Sequence, residues 1–341
     1  MDGTVSFLCA KMQAFTYINT HTNIPGWVDT VHIEQERGYA YESNGRFFHV
    51  YGLTQGFWGL STGLTASEPA GDQSLKSWID SVFGADNIEP MQLEPGEVIK
   101  GVWRPGLYFK NQRYQALSIN DHIQRTAEQA LRNLIEKLDE ILLYIEPSST
   151  GLQSYGHKSR ELLILACTEV ENIWAQYMRL ANVLPTGSGF NTNDYVKLLA
   201  PLHLSEFKIS CKLISNSYSI EPFSQWSTRR PSQSLPWYNA YNKTKHDREN
   251  YFSEATLSNC MQAIAAVVAL FCVRHSPFPL VQGNSSLAGI FSQHFDISLT
   301  NPDYKSFYVP EFNVSTKLRS DLFCANMTDD VNPWNIKPLI I

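Results

Sequence analysis

Residues 234–248, SLPWYNAYNKTKHDR, run straight into a long Ala-rich apolar stretch, and this junction constrains the fold more than any other part of the chain. Ser234 can cap a helix, and Pro236 then falls in the first turn, where its missing N–H costs nothing. The helix is expected either to continue or to restart at Ser253 and to run to about Arg274. Ala255, Leu257, Met261, Ile264, Ala265, Val268 and Leu270 then form its core side. The apolar run 263–273 reaches only about half the length of a bilayer span, so no membrane segment is expected.

Upstream, Ile123, Ala127, Leu131, Leu134, Leu138, Ile141 and Ile145 recur at helical spacing from about Asn120 until Pro147. A second helix is expected from about Ser154 to Ala181. Glu161, Glu169 and Glu171 lie near its apolar face, Glu161 and Glu169 can share one side, and Glu169 reads as a buried acid that pairs with the motif helix through Lys245 or His246. His157, Lys158 and Arg160 place cations at its start, against the helix dipole, which marks a candidate functional face. Residues 193–199 read as a short helix before Pro201. The period then switches to two: Phe207, Ile209, Cys211 and Leu213 alternate with polar residues, as in a half-buried strand paired with the segment around 218–220.

Residues 1–117 read as β-rich. Asn44-Gly45 between aromatic runs is a hairpin signal. Residues 98–103 and 106–109 read as strands flanking Arg104-Pro105, and Ser74 to Gly84 as a short capped helix. Residues 276–341 read as short strands and turns packing back on the core. The expected architecture is α+β: a β-rich domain over 1–117, a helical domain with an inserted β-hairpin over 118–275, and a C-terminal tail over 276–341.

The formal charge of −6 argues against broad, sequence-independent nucleic-acid binding but leaves room for a local basic patch. Six cysteines without a CxxC pair give no zinc-ribbon signal and suit buried thiols in a reducing compartment. With no leader sequence evident, a cytoplasmic protein is expected. Ligand-pair spacing for a metal is missing, and neither metal nor cofactor is expected.

Within the 234–248 segment, helical spacing puts Asn239, Asn242 and His246 on one stripe and Tyr238, Tyr241, Lys245 and Arg248 on the next. A histidine beside cations can serve as acid or base while Lys and Arg hold phosphate. Equally, Asn and His on a buried stripe can satisfy one another.

The pair formed by SRELLILACTEVE at 159–171 and PWYNAYNKTKHDR at 236–248, followed by the Ala-rich helix, resembles the HEPN superfamily. The likeness covers about residues 150–275 and is closer to a group of bacterial proteins sharing both segments. It implies a helical bundle, often dimeric, with the motif helix near a two-fold cleft. It also implies binding of RNA or a nucleotide in a defence or stress context. A metal-independent ribonuclease is the alternative, with His246, Asn242 and Arg248 as catalytic residues and Lys245, Arg160, Asn239 and Lys243 as substrate-binding ones. Active members carry an Arg, then four to six intervening residues, then the His; the corresponding Arg positions here are Asn239, Ala240 and Tyr241. A purely structural or protein-interaction module is the third reading.

Overall fold

The computed structural model describes residues 12–21, 37–52, 57, 59–60, 64–214, 218–314 and 331–341. It is an α+β protein, with antiparallel sheets and a set of packed helices. The chain divides into two compact units. One combines Met1–Val98, Arg104–Gln112 and Asp303–Ile336; the other combines Ile99–Trp103, Arg113–Pro302 and Lys337–Ile341. The stretch after 275 is therefore shared: residues 276–302 and 337–341 go with the helical unit, and 303–336 with the sheet unit.

The sheet unit is built on five antiparallel strands, β1 Ala14–Asn19, β2 Arg37–Ser43, β3 Arg46–Gly52, β4 Ala66–Pro69 and β5 Ala85–Pro90, in the order β4-β3-β2-β1-β5. The Asn44-Gly45 signal holds: both residues have positive φ, 51° and 70°, and Ser43 pairs with Arg46 across the two-residue turn. Helix Leu75–Phe83 packs Trp78, Ile79 and Phe83 against Phe15, Tyr17 and Phe47 of the sheet. Ser74 caps it by accepting from the Ser77 N–H at 3.2 Å, and Gly84 closes it at φ 57°.

Residues 106–109, expected as a strand, form none. Gly106 sits at φ +103° against the Tyr308 carbonyl, and Pro105 before it removes an N–H, so no ladder can run through this stretch. Leu107 and Tyr108 are buried nonetheless. Arg104 is also buried and donates from Nε and Nη2 to the Ser306 hydroxyl at 3.0 and 2.7 Å.

In the helical unit, Asp121–Leu142 and His157–Leu180 are the two long helices the periodicity predicts. The Ala-rich helix starts later than expected, at Leu257, because Thr256 caps it: its hydroxyl accepts from the Asn259 N–H at 3.2 Å. This helix, Leu257–His275, is buried all round rather than on one side. It is the one described helix long and apolar enough to cross a membrane, and 78% of its most apolar window lies inside the fold, as in a core helix. Cys167, Cys211, Cys260 and Cys272 are buried free thiols; Cys9 and Cys324 lie outside the described residues.

The strand at Phe207–Cys211 pairs with Ser219–Ile220 as expected, Ile209 opposite Ile220. Its other edge carries a third strand, Phe295–Leu299, so the expected hairpin is part of a three-stranded sheet. Helix Ser286–His294, capped by Ser285, leads into that third strand.

Candidate functional site

The motif helix spans Pro236–His246 and begins one residue later than expected. Leu235 occupies the cap position, and the Ser234 hydroxyl instead accepts from the Ser227 N–H at 3.0 Å. Its inner face is Trp237, Tyr238, Ala240, Tyr241 and Thr244, all buried. Trp237 donates to the Pro222 carbonyl at 3.1 Å. Trp174 of the second long helix stacks on Trp226 at 4.8 Å and reaches Tyr238 at 5.5 Å, closing an aromatic cluster beneath the motif.

The carboxylate that meets this face is Glu171, not Glu169. Tyr238 donates to Glu171 at 2.5 Å, and Tyr241 donates to it at 3.3 Å. Lys245 in turn donates to the Tyr241 hydroxyl at 2.8 Å. Glu169 and Glu171 are two positions apart, a rotation of about 200° on a helix, so only one of them can face the motif. Burial, then the bond to Glu171, holds the Tyr238 phenol far above its usual range. Burial also raises Tyr241, while the hydrogen bond to Tyr241 raises Lys245 and keeps it charged.

The outer face carries the polar stripe. Asn239 and Asn242 are half-buried and His246 is exposed. Among the described residues their side chains form no hydrogen bond or ion pair, so they do not satisfy one another. The cations divide into engaged and open ones. Arg160 donates from Nε and Nη2 to the Thr244 carbonyl at 3.2 and 3.0 Å, serving one of the orphan carbonyls at the end of the motif helix. It therefore does not stand in for an arginine before His246. Lys243 pairs with Glu254 at 2.9 Å.

Arg248 is not on the stripe with Tyr238, Tyr241 and Lys245. The helix breaks at Asp247 (φ −142°, ψ 77°), whose side chain caps a new short helix, Arg248–Tyr251, by accepting from the Asn250 N–H at 3.2 Å. The break turns the Arg248 guanidinium over the Phe252 ring, 5.7 Å from its centre. Phe252 meets Tyr155 edge-on at 5.7 Å and His157 at 4.9 Å. Beyond them lies a surface groove of about 430 Å³ whose lining includes Glu140, Tyr144, Ile145, Tyr155, His157 and Lys158. Tyr144 is 84% and Tyr155 53% exposed. Lys158 pairs loosely with Glu140 at 3.3 Å.

Comparison of the chain with protein families, with characterised proteins and with solved structures finds no match. The chemistry must therefore be read from the geometry. Among the described residues no three His, Cys, Asp or Glu side chains are grouped to hold a metal. Among the described residues no carboxylate or amide orients the His246 ring, as a general acid or base would need. What the end of the motif helix does offer is open cations beside exposed aromatic rings. The helix-start cations His157 and Lys158 were legible as a candidate face; Tyr144, Tyr155 and Phe252 were not, because no periodicity brings three separate segments together.

Proposed function

We propose that the helical unit binds single-stranded RNA or nucleotide through the end of the motif helix and does not itself cleave it. The observation that carries this reading is the Arg248 guanidinium over the Phe252 ring, which in turn meets Tyr155 and His157 at the edge of the groove that Tyr144 and Lys158 also line. Single strands are held by this combination: rings stack on bases while cations follow the backbone. A net-negative chain can do this because the positive charge is local. The resemblance to HEPN proteins points the same way, toward a cytoplasmic, dimeric RNA- or nucleotide-binding protein of a defence or stress response. The four buried thiols suit that reducing compartment.

Fluorescence anisotropy with a labelled single-stranded oligoribonucleotide, titrated at several salt concentrations, tests it. Affinity should fall with salt, and Arg248→Ala should reduce the slope by about one. Tyr155→Ala and Phe252→Ala should each weaken binding by about 1–3 kcal/mol, the range for a lost base stack. Binding that is absent at low salt, or indifferent to all three substitutions, refutes the reading. RNA cleavage that His246→Ala abolishes would refute its non-catalytic part.

A further inference from the structure

The groove beside the motif helix holds one group that a site for a polyanion should not want. Glu140 lines it together with Tyr144, Tyr155, His157 and Lys158, and its side chain is half exposed. Its Oε1 lies 3.3 Å from Lys158 Nζ, and it has no hydrogen bond or other ion pair among the described residues. A carboxylate in this position repels phosphate. An ion pair between two such exposed side chains adds little to stability, so the fold itself gains little from an acid there.

The same pair has a use if a base enters the groove. An ionised carboxylate offers acceptors only, and a lysine ammonium offers donors only. Unpaired bases are read on their Watson–Crick edge, where the four differ. Guanine alone sets two adjacent N–H donors there, at N1 and N2, with the O6 acceptor next to them. Adenine and cytosine each set one amino donor beside a ring nitrogen whose lone pair would face the carboxylate. Uracil sets one N–H between two carbonyls, with the same result. Exposed rings stack on any base, so selection falls to Glu140 and Lys158.

We infer that the groove is a guanine subsite, taking one unpaired guanine base of a bound RNA strand. The inference rests on the single-strand reading above and names the base that this site selects. Glu140 accepts from guanine N1–H and N2–H, and Lys158 turns from Glu140 to donate to O6. The base lies against the exposed Tyr144 and Tyr155 rings. Guanine is neutral, so it meets the carboxylate without repulsion, and the phosphates of the strand are left to cations such as Arg248. The volume of about 430 Å³ has room for a nucleoside, within the about 300–1,000 Å³ usual for small-ligand sites.

The test is fluorescence anisotropy of the full chain at low salt with a labelled oligouridylate. Further strands carry one central guanosine, adenosine, cytidine or inosine. The guanosine strand should bind about tenfold tighter than the uridine, adenosine and cytidine strands, the discrimination of one bidentate base contact. Inosine lacks the N2 amino group and should fall between. Glu140→Ala should bring the guanosine strand to within about twofold of the others and should tighten the all-uridine strand, because a negative charge has left the groove. Equal binding of all strands by the wild type overturns the inference and leaves the single-strand reading standing. So does a preference for another base, a guanosine preference that survives Glu140→Ala, or a variant that weakens every strand alike. Binding of no strand overturns both.

Discussion

His275 makes the stability of the helical unit depend on pH with a sign and size that can be worked out. Burial, and secondarily the charge of Arg274, lowers its pKa from 6.5 to about 3. In the unfolded chain the ring titrates near its ordinary value, so above pH 7 both states are neutral and the residue contributes no slope. As pH falls below 6.5 the unfolded state takes up a proton that the folded state refuses, and stability declines until the folded pKa is reached. At pH 5 the deficit is 1.5 pH units at ~1.4 kcal/mol per unit, about 2 kcal/mol. That figure is set by the unfolded pKa and is nearly the same for any folded value below about 4.

Glu169 acts in the opposite sense. Burial raises its carboxyl, so its stabilising contribution is present at low pH and lost as pH rises through the folded value. The measurement is therefore a difference. Urea unfolding followed by the fluorescence of Trp174, Trp226 and Trp237 is compared at pH 7.5 and 5.0 for wild type and His275→Gln. Contributions common to both proteins cancel, and the wild type should lose about 2 kcal/mol more than the variant on going to pH 5. Parallel losses, within about 0.5 kcal/mol, would mean that the ring is protonated in the folded state and that its burial carries no penalty.

Glu171→Ala leaves the Tyr238 hydroxyl buried without its acceptor and removes one acceptor from Tyr241. A loss of about 2–4 kcal/mol in the same urea assay is expected, whereas Glu169→Ala should disturb the motif helix little. Glu169→Gln should raise stability at pH 7 and lose that advantage toward pH 4, because a neutral amide removes a carboxyl whose folded pKa is raised; thermal melts at the two pH values compare them. In the sheet unit, a Cβ on Gly106 would lie 1.8 Å from the Tyr308 carbonyl oxygen at a φ of +103°. Gly106→Ala should therefore cost more than about 3 kcal/mol, seen as a lowered thermal transition, while Gly71→Ala, with open space around it, should cost far less.

Signals confined to a few consecutive residues were readable in the sequence. Asn44-Gly45 determined a turn, Ser74 and Gly84 bounded a helix, and alternation over 207–211 marked a strand whose partner followed within ten residues. Signals that needed distant chain were not. Phe295–Leu299 becomes a strand because Phe207–Cys211 has a second open edge for it, and nothing near 295 announces that edge. Residues 106–109 carry the apolar content of a strand, but Pro105 precedes them and Gly106 opens them at positive φ, and their burial comes from irregular packing. The core helix was visible as a helix. Its burial on every side was not, since an Ala-rich stretch looks alike whether one face or all faces are covered.

The motif helix shows why its residue types said more about fold than about chemistry. Tyr238 and Tyr241, three apart, share the face that meets the second long helix, and they require an acceptor there, which Glu171 supplies. Arg160 fixes the end of the same helix from its neighbour. These contacts tie 159–171 to 236–248, so the two segments that together gave the resemblance are two sides of one packed joint. Asn239, Asn242 and His246 take no part in that joint. They are also the residues whose presence the packing leaves unexplained, and they border the only cations of the segment, Lys245 and Arg248, that are not consumed by an ion pair among the described residues. A polar stripe that the described fold leaves unpaired, beside open cations and exposed rings, is better suited to meeting a solute than to supporting the helix that carries it.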